Sequence, residues 1–116
     1  MVRRKEEIKV LTKASPFGGV GNITVRDILE TPEEMYQKGR VFCHTTVHAG
    51  SGIGYHVHQG ESETYYILSG HGRFNDNGTI TEIGPGDVLF TGDQSGHGIE
   101  AAAGEDIEMI ALILYR

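Results

Sequence analysis

His56 and His58 are separated by a single residue, and Glu63 follows five positions after the second of them. A β-strand turns successive side chains to opposite faces, so residues at i and i+2 project together. In a strand, both imidazoles therefore point to one side, and a tight turn at Gln59-Gly60 lets Glu63 return on the next strand. Two neutral imidazoles and a carboxylate are a usual ligand set for a divalent first-row metal. A third imidazole, His97, lies 34 residues beyond Glu63, at the start of another strand-like run. The plainer alternative is that His56 and His58 are polar residues on a solvated strand face. Alternation does not separate Glu61 from Glu63, because the two share parity.

The elements that must position these residues read as short strands. Ile8, Val10 and Leu11 suggest an edge strand, residues 15–21 a loop, and Asn22 to Leu29 a second strand. Thr31-Pro32-Glu33-Glu34 is a helix-start signature, with Thr31 as cap, Pro32 at the first helical position and Glu34 closing a capping box. Gly39 leaves room for only about two turns, and an extended loop is the alternative. From Arg40 onward the pattern is β: Val41 to His48, Tyr55 to His58, Glu63 to Leu68, Gly72 to Asn75, Thr79 to Ile83, Val88 to Thr91, His97 to Ala102 and Ile107 to Tyr115. Asn77-Gly78 between two such runs is a hairpin signal, since both residues tolerate positive φ. Many short strands joined by glycine-rich turns imply a sandwich or barrel.

Composition narrows the classes. A chain of 116 residues is one domain with room for a core. Ten Lys plus Arg against 16 Asp plus Glu give a net charge of −6, which argues against nucleic acid and anionic membranes as partners. The lone Cys43 excludes a disulfide framework and a multi-thiolate metal site, and suits a reducing, cytoplasmic setting. The opening residues lack the apolar stretch of a secretory signal, and the longest apolar run, Met109 to Tyr115, is of strand length rather than membrane-spanning length. With 17 glycines but only 3 prolines, the composition fits turns rather than disorder.

At this point the chain resembles the cupin superfamily. Gly50, His56, His58, Glu63 and Gly70 fall in the register of its first motif without a gap. Gly86 and His97 stand where the second motif expects them. Gly92, Gln94 and Ala101 replace that motif's proline, inner glycine and asparagine, so the shape of the turn departs from the pattern. The resemblance covers about residues 40–115. It implies an all-β fold, a double-stranded β-helix or jelly-roll barrel over residues 40–116, with residues 1–39 as a strand-and-loop extension packing on it and at most one short helix. It also implies His56, His58, Glu63 and His97 as ligands of one divalent transition metal (Mn, Fe, Ni, Co or Zn). The motif spacing favours Glu63 over Glu61, which is expected to be solvated in the turn.

Tyr65, two residues past Glu63, should face the same interior, where a phenol serves as general acid or base or as pocket wall. Tyr66 should face away. His44, His48, His71, Arg73, Asp93 and Gln94 read as hydrogen-bonded surface, second-layer or turn residues, and Cys43 as a small buried group. Two functions follow. One is a metalloenzyme of isomerase, lyase or dioxygenase type acting on a small polar molecule such as a sugar or keto acid. The other is a non-catalytic binding or sensing protein for a small molecule or metal. A homodimer is expected, since small cupins pair through their sheets and open β edges must be covered.

Overall fold

The computed structural model describes all 116 residues. It consists of ten strands: β1 (Val10–Ala14), β2 (Asn22–Leu29), β3 (Gly39–Val47), β4 (Gly52–Val57), β5 (Glu61–Ser69), β6 (Gly72–Asp76), β7 (Thr79–Ile83), β8 (Val88–Thr91), β9 (Gly96–Ala101) and β10 (Ile107–Tyr115). They form a six-stranded antiparallel sheet in the order β1-β2-β3-β10-β5-β8 and a four-stranded one in the order β4-β9-β6-β7. The two layers make the expected jelly roll. The only helical pieces are single 3₁₀ turns at Lys5–Glu7 and Pro16–Gly18. No helix is long and apolar enough to cross a membrane.

Strict alternation sorts the strands into an inner and an outer face. In β10, Ile107, Met109, Ala111 and Ile113 are buried while the residues between them are half-exposed. In β5, Glu63, Tyr65 and Ile67 are buried, whereas Tyr66 and Leu68 are exposed. The interior belongs to one apolar cluster that includes Val47, Ile67, Phe74, Ile99, Ile107 and Met109. Burying each of the large ones is worth roughly 1.5–3 kcal/mol. The β6–β7 hairpin turns on Asn77 (φ 48°) and Gly78 (φ 102°), the geometry anticipated for Asn-Gly.

Two local expectations change. The first strand runs Val10–Ala14 rather than from Ile8, because its register with β2 pairs Val10 with Arg26 and Ala14 with Asn22. β1 and β2 thereby add two strands to the sheet beside β3. The helix start at Thr31 becomes a pair of turns. Thr31 Oγ1 does accept the Glu34 N–H (3.2 Å), but Glu34 reaches back to the Glu30 N–H (3.1 Å), not to Thr31. Tyr36 (φ 51°) and Gln37 (φ 58°) then turn left-handed. So few residues before Gly39 do not repay the cost of nucleating a helix.

Candidate metal centre

β4 pairs with β9 so that His56 and His97 lie opposite each other, and His58 follows just past the end of β4. Glu63 comes from β5 in the facing sheet. The site therefore lies between the layers, with three imidazoles from one and a carboxylate from the other. The candidate ligand atoms of His56, His58, Glu63 and His97 all lie within 4.8 Å of one another. His58 Nε2 is 3.1 Å from His97 Nε2 and 3.1 Å from Glu63 Oε1. His97 Nε2 is 3.2 Å from His56 Nε2 and 3.0 Å from Glu63 Oε1.

The other ring nitrogens explain why this cluster suits a cation. His56 Nδ1 meets the Gly54 carbonyl at 2.8 Å and His58 Nδ1 meets Glu61 Oε1 at 2.8 Å. A carbonyl and a carboxylate only accept, so both histidines carry their protons on Nδ1 and present lone pairs at Nε2. His97 Nδ1 shares a hydrogen bond with Thr91 Oγ1 at 2.8 Å, in which either the ring nitrogen or the hydroxyl can donate. Lone pairs of two imidazoles and a carboxylate thus converge with too few protons to separate them. At His56, burial pushes the pKa down and so disfavours its charged form. A shared cation is the group that fits, since ligands about 2.1 Å from one ion stand about 3 Å apart. The cluster is able to hold a metal ion, with the ring-orienting hydrogen bonds such sites use.

Glu61 does not behave as the sequence suggested. It is the first residue of β5, its side chain is only 12% exposed, and it joins His58 to Arg40. Arg40 donates to it twice, at 2.7 and 2.6 Å, and the guanidinium holds the Glu61 carboxyl down at about 2. Shared parity with Glu63 was the available signal; nothing in the spacing pointed to Arg40.

Tyr65 faces inward as expected. It is buried, and its ring stacks on His97 at 5.1 Å and 18°. Burial first, and the Glu63 charge second, push its hydroxyl well above the ordinary tyrosine value. His44 pairs with Glu108 (2.8 Å), His48 with Thr24 (2.7 Å) and His71 with Glu105 (2.8 Å), all away from the cluster. Arg73 lies near Glu100, and Asp93 accepts the Gly60 N–H.

The cluster borders a cavity of about 310 Å³, whose walls include Phe17, Ile23, Val25, Cys43, Thr45 and Tyr65. A larger, shallower groove of about 640 Å³ on the outside, beside His71, Arg73 and Glu100, holds none of the four converging residues. Phe17, from the loop between β1 and β2, was not singled out from the sequence. Its ring stacks on His56 with centroids 3.8 Å apart and planes 10° apart.

Residues 43–114 match the family model Cupin_2, the cupin domain. An oxalate-binding protein of Thermotoga maritima is 40% identical over 114 residues, which span 98% of this chain and 93% of that protein. A crystal structure from the same organism, described as a predicted oxalate decarboxylase, superposes with a TM-score of 0.91 at 38% identity, covering 100% of both chains. The polyketide cyclase RemF of Streptomyces resistomycificus superposes with a TM-score of 0.73 at 19% identity, covering 99% of this chain and 80% of its own. At that identity the likeness is one of fold alone.

Proposed function

The chain belongs to the cupin family, and from that premise we propose that it holds one divalent first-row metal ion through His56, His58, Glu63 and His97 and uses it to bind a small bidentate carboxylate of the oxalate class. The observation that carries this reading is the convergence of one candidate ligand atom each from His56, His58, Glu63 and His97 within 4.8 Å, with the Nδ1 atoms of His56 and His58 already tied behind them. Mn²⁺, Fe²⁺, Co²⁺, Ni²⁺ and Zn²⁺ all suit such a donor set. A divalent ion with one carboxylate ligand leaves the site near +1, and about two positions stay open on an ion that takes about six ligands. A ligand with two adjacent carboxylate oxygens matches both that charge and that pair of positions. The oxalate-binding relative supports the choice of ligand. When bound, the ion would act as a Lewis acid toward a carboxylate or carbonyl oxygen. The chain's own contribution is to orient the ligand and keep water out through the largely apolar cavity wall.

The test is metal analysis of protein purified without a histidine tag, followed by calorimetry with oxalate on loaded and stripped samples. One ion per chain, and oxalate binding only when loaded, are expected. Protein that holds no more than trace metal after reconstitution sinks the reading.

The enzymatic reading has one observation in its favour, the position of Tyr65. A buried phenol stacked on His97 and two residues from Glu63 is placed to pass a proton to or from a ligand in the cavity. If it serves turnover, Tyr65→Phe keeps oxalate affinity and loses product formation. Equal rates in the two proteins return Tyr65 to the role of cavity wall.

We also propose that a second copy covers the outer face of the six-stranded sheet. Tyr66, Leu68, Val88 and Phe90 are exposed there, and Tyr66 pairs with Val88. The patch runs to β8, an open sheet edge of the kind natural proteins cover. Light scattering at twice the mass of the 12.7 kDa chain is expected, and a monomer would contradict it.

A further inference from the structure

The loop from Ser15 to Gly21 carries a conformation that its sequence does not favour. Ser15 (φ 46°) and Phe17 (φ 51°) are both left-handed without being glycine. An aromatic residue persists in that region only where its surroundings impose it, and such outliers gather at ligand clamps and switches. Phe17 lays one face of its ring on His56, yet the residue is 66% exposed, so its other face meets solvent. The loop is tied at its ends, where the Ser15 N–H donates to Gly21 O and the Gly52 N–H to Val20 O, both at 2.8 Å. Its middle rests on Gly54, where any Cβ would collide with the Phe17 carbonyl. Gly54 also supplies the carbonyl that fixes His56 Nδ1. The same strand position thus seats the loop and orients a candidate ligand.

We propose that Phe17 is the gate of the cavity, closing over His56 and setting how long a bound small anion stays. Gly18 and Gly21, both at positive φ, follow the ring in the loop and supply backbone conformations that other residues adopt poorly. An imidazole that binds a cation becomes more positive, and the negative face of an aromatic ring is drawn to it. Loading the site therefore holds the gate more firmly shut, and by reciprocity a shut gate tightens binding of the ion. This coupling rests on the metal reading above; the gating of the empty cavity does not.

Cys43 supplies the probe. It is the chain's single cysteine, is buried, and lines the same cavity as Phe17. Labelling of Cys43 by a small thiol reagent is followed in native, metal-stripped protein, then with Co²⁺ added. In the native chain, labelling is slow and becomes slower with Co²⁺. In Phe17→Gly it is about fivefold faster and indifferent to Co²⁺, with Phe17→Leu between the two. Calorimetry shows Co²⁺ and oxalate each bound about two- to fivefold more weakly by Phe17→Gly. The melting temperature stays within a few degrees, because relief of the strained backbone offsets the lost stacking. Equal labelling of native and Phe17→Gly protein overturns the proposal. So does faster labelling that tracks a fall in melting temperature across both variants, which marks general loosening. Failure of the native chain to bind Co²⁺ removes the metal reading and the coupling, while the metal-free comparison still decides the gate.

Discussion

Displaced along the strands from the histidines, Ile67, Ile99, Ile107 and Met109 sit in one cluster with at most 1% of their surface exposed, Met109 still lining the cavity that the histidines border. At the other end His58, Glu63 and His97 are buried almost as deeply, and hydrogen bonds from His56 to Gly54, His58 to Glu61 and His97 to Thr91 hold the cluster. The same strands build both ends. β5 carries Glu63 and then Ile67; β9 carries His97 and then Ile99. The apolar end gains its stability from area removed from water, which is indifferent to ions. The polar end is built around a convergence of imidazole nitrogens and a carboxylate, a donor set that suits a cation. One end fixes the shell, so the other can hold a costly geometry.

Truncating each end gives the largest test of that division. Ile67→Ala should cost about 2–5 kcal/mol of stability through the cavity it leaves, with the folded fraction still taking up a full complement of metal. His97→Ala should abolish metal uptake while the metal-free protein still melts cooperatively. The division fails if Ile67→Ala loses metal while folded, or if His97→Ala unfolds as Ile67→Ala does.

Metal loading should come next in size. An ion that binds only the folded chain stabilises it by about 2.7 kcal/mol at a hundred times its Kd. A melting temperature that rises with Co²⁺ and returns with a chelator is expected of the native chain and of Ile67→Ala, but not of His97→Ala. Insensitivity of the native chain would mean that the polar end is complete without an ion.

The strands of the shell were legible in the sequence. Period-2 alternation turned Tyr65 inward and Tyr66 outward on β5, and Asn77-Gly78 gave the β6–β7 hairpin. Of the polar end, the spacing of His56, His58, Glu63 and His97 was readable because strand periodicity and motif register act locally. Glu61 and Arg40 were not, because their role depends on β3 coming alongside β5 through β10, a long-range pairing that no local pattern encodes. Phe17 was hidden for a related reason. A loop residue at positive φ leaves no periodic trace, and its partner His56 is far along the chain.

The Arg40–Glu61–His58 chain gives a smaller effect. Glu61→Gln keeps the shape but weakens the acceptor that holds His58 Nδ1, and partners of this kind typically account for 10–100-fold in metal affinity. Calorimetry with Co²⁺ should show a loss in that range, alongside a lower melting temperature of the stripped protein from the weakened Arg40 pair. An unchanged affinity would mean that His58 is held by packing alone, as the residues of the apolar end are.

The smallest effect lies at the rim of the polar end, where Asp93 accepts the Gly60 N–H (2.6 Å) and an Arg116 N–H (2.8 Å). The Gly60 N–H, with the Arg116 guanidinium after it, holds the Asp93 carboxyl below its ordinary range. A depressed pKa in the folded chain means that the unfolded chain takes up this proton first as pH falls. The contribution of Asp93 is therefore complete above about pH 4, the ordinary Asp value, and fades as pH drops through the lower folded one. Asp93→Asn should melt slightly below the native protein from pH 5 to 8, with the gap closing under more acidic conditions. The cost of Ile67→Ala, being a matter of packing, should stay the same over that whole range. A gap for Asp93→Asn that is equally flat would make the rim another piece of packing rather than of charge, and the two ends would differ less than their residues suggest.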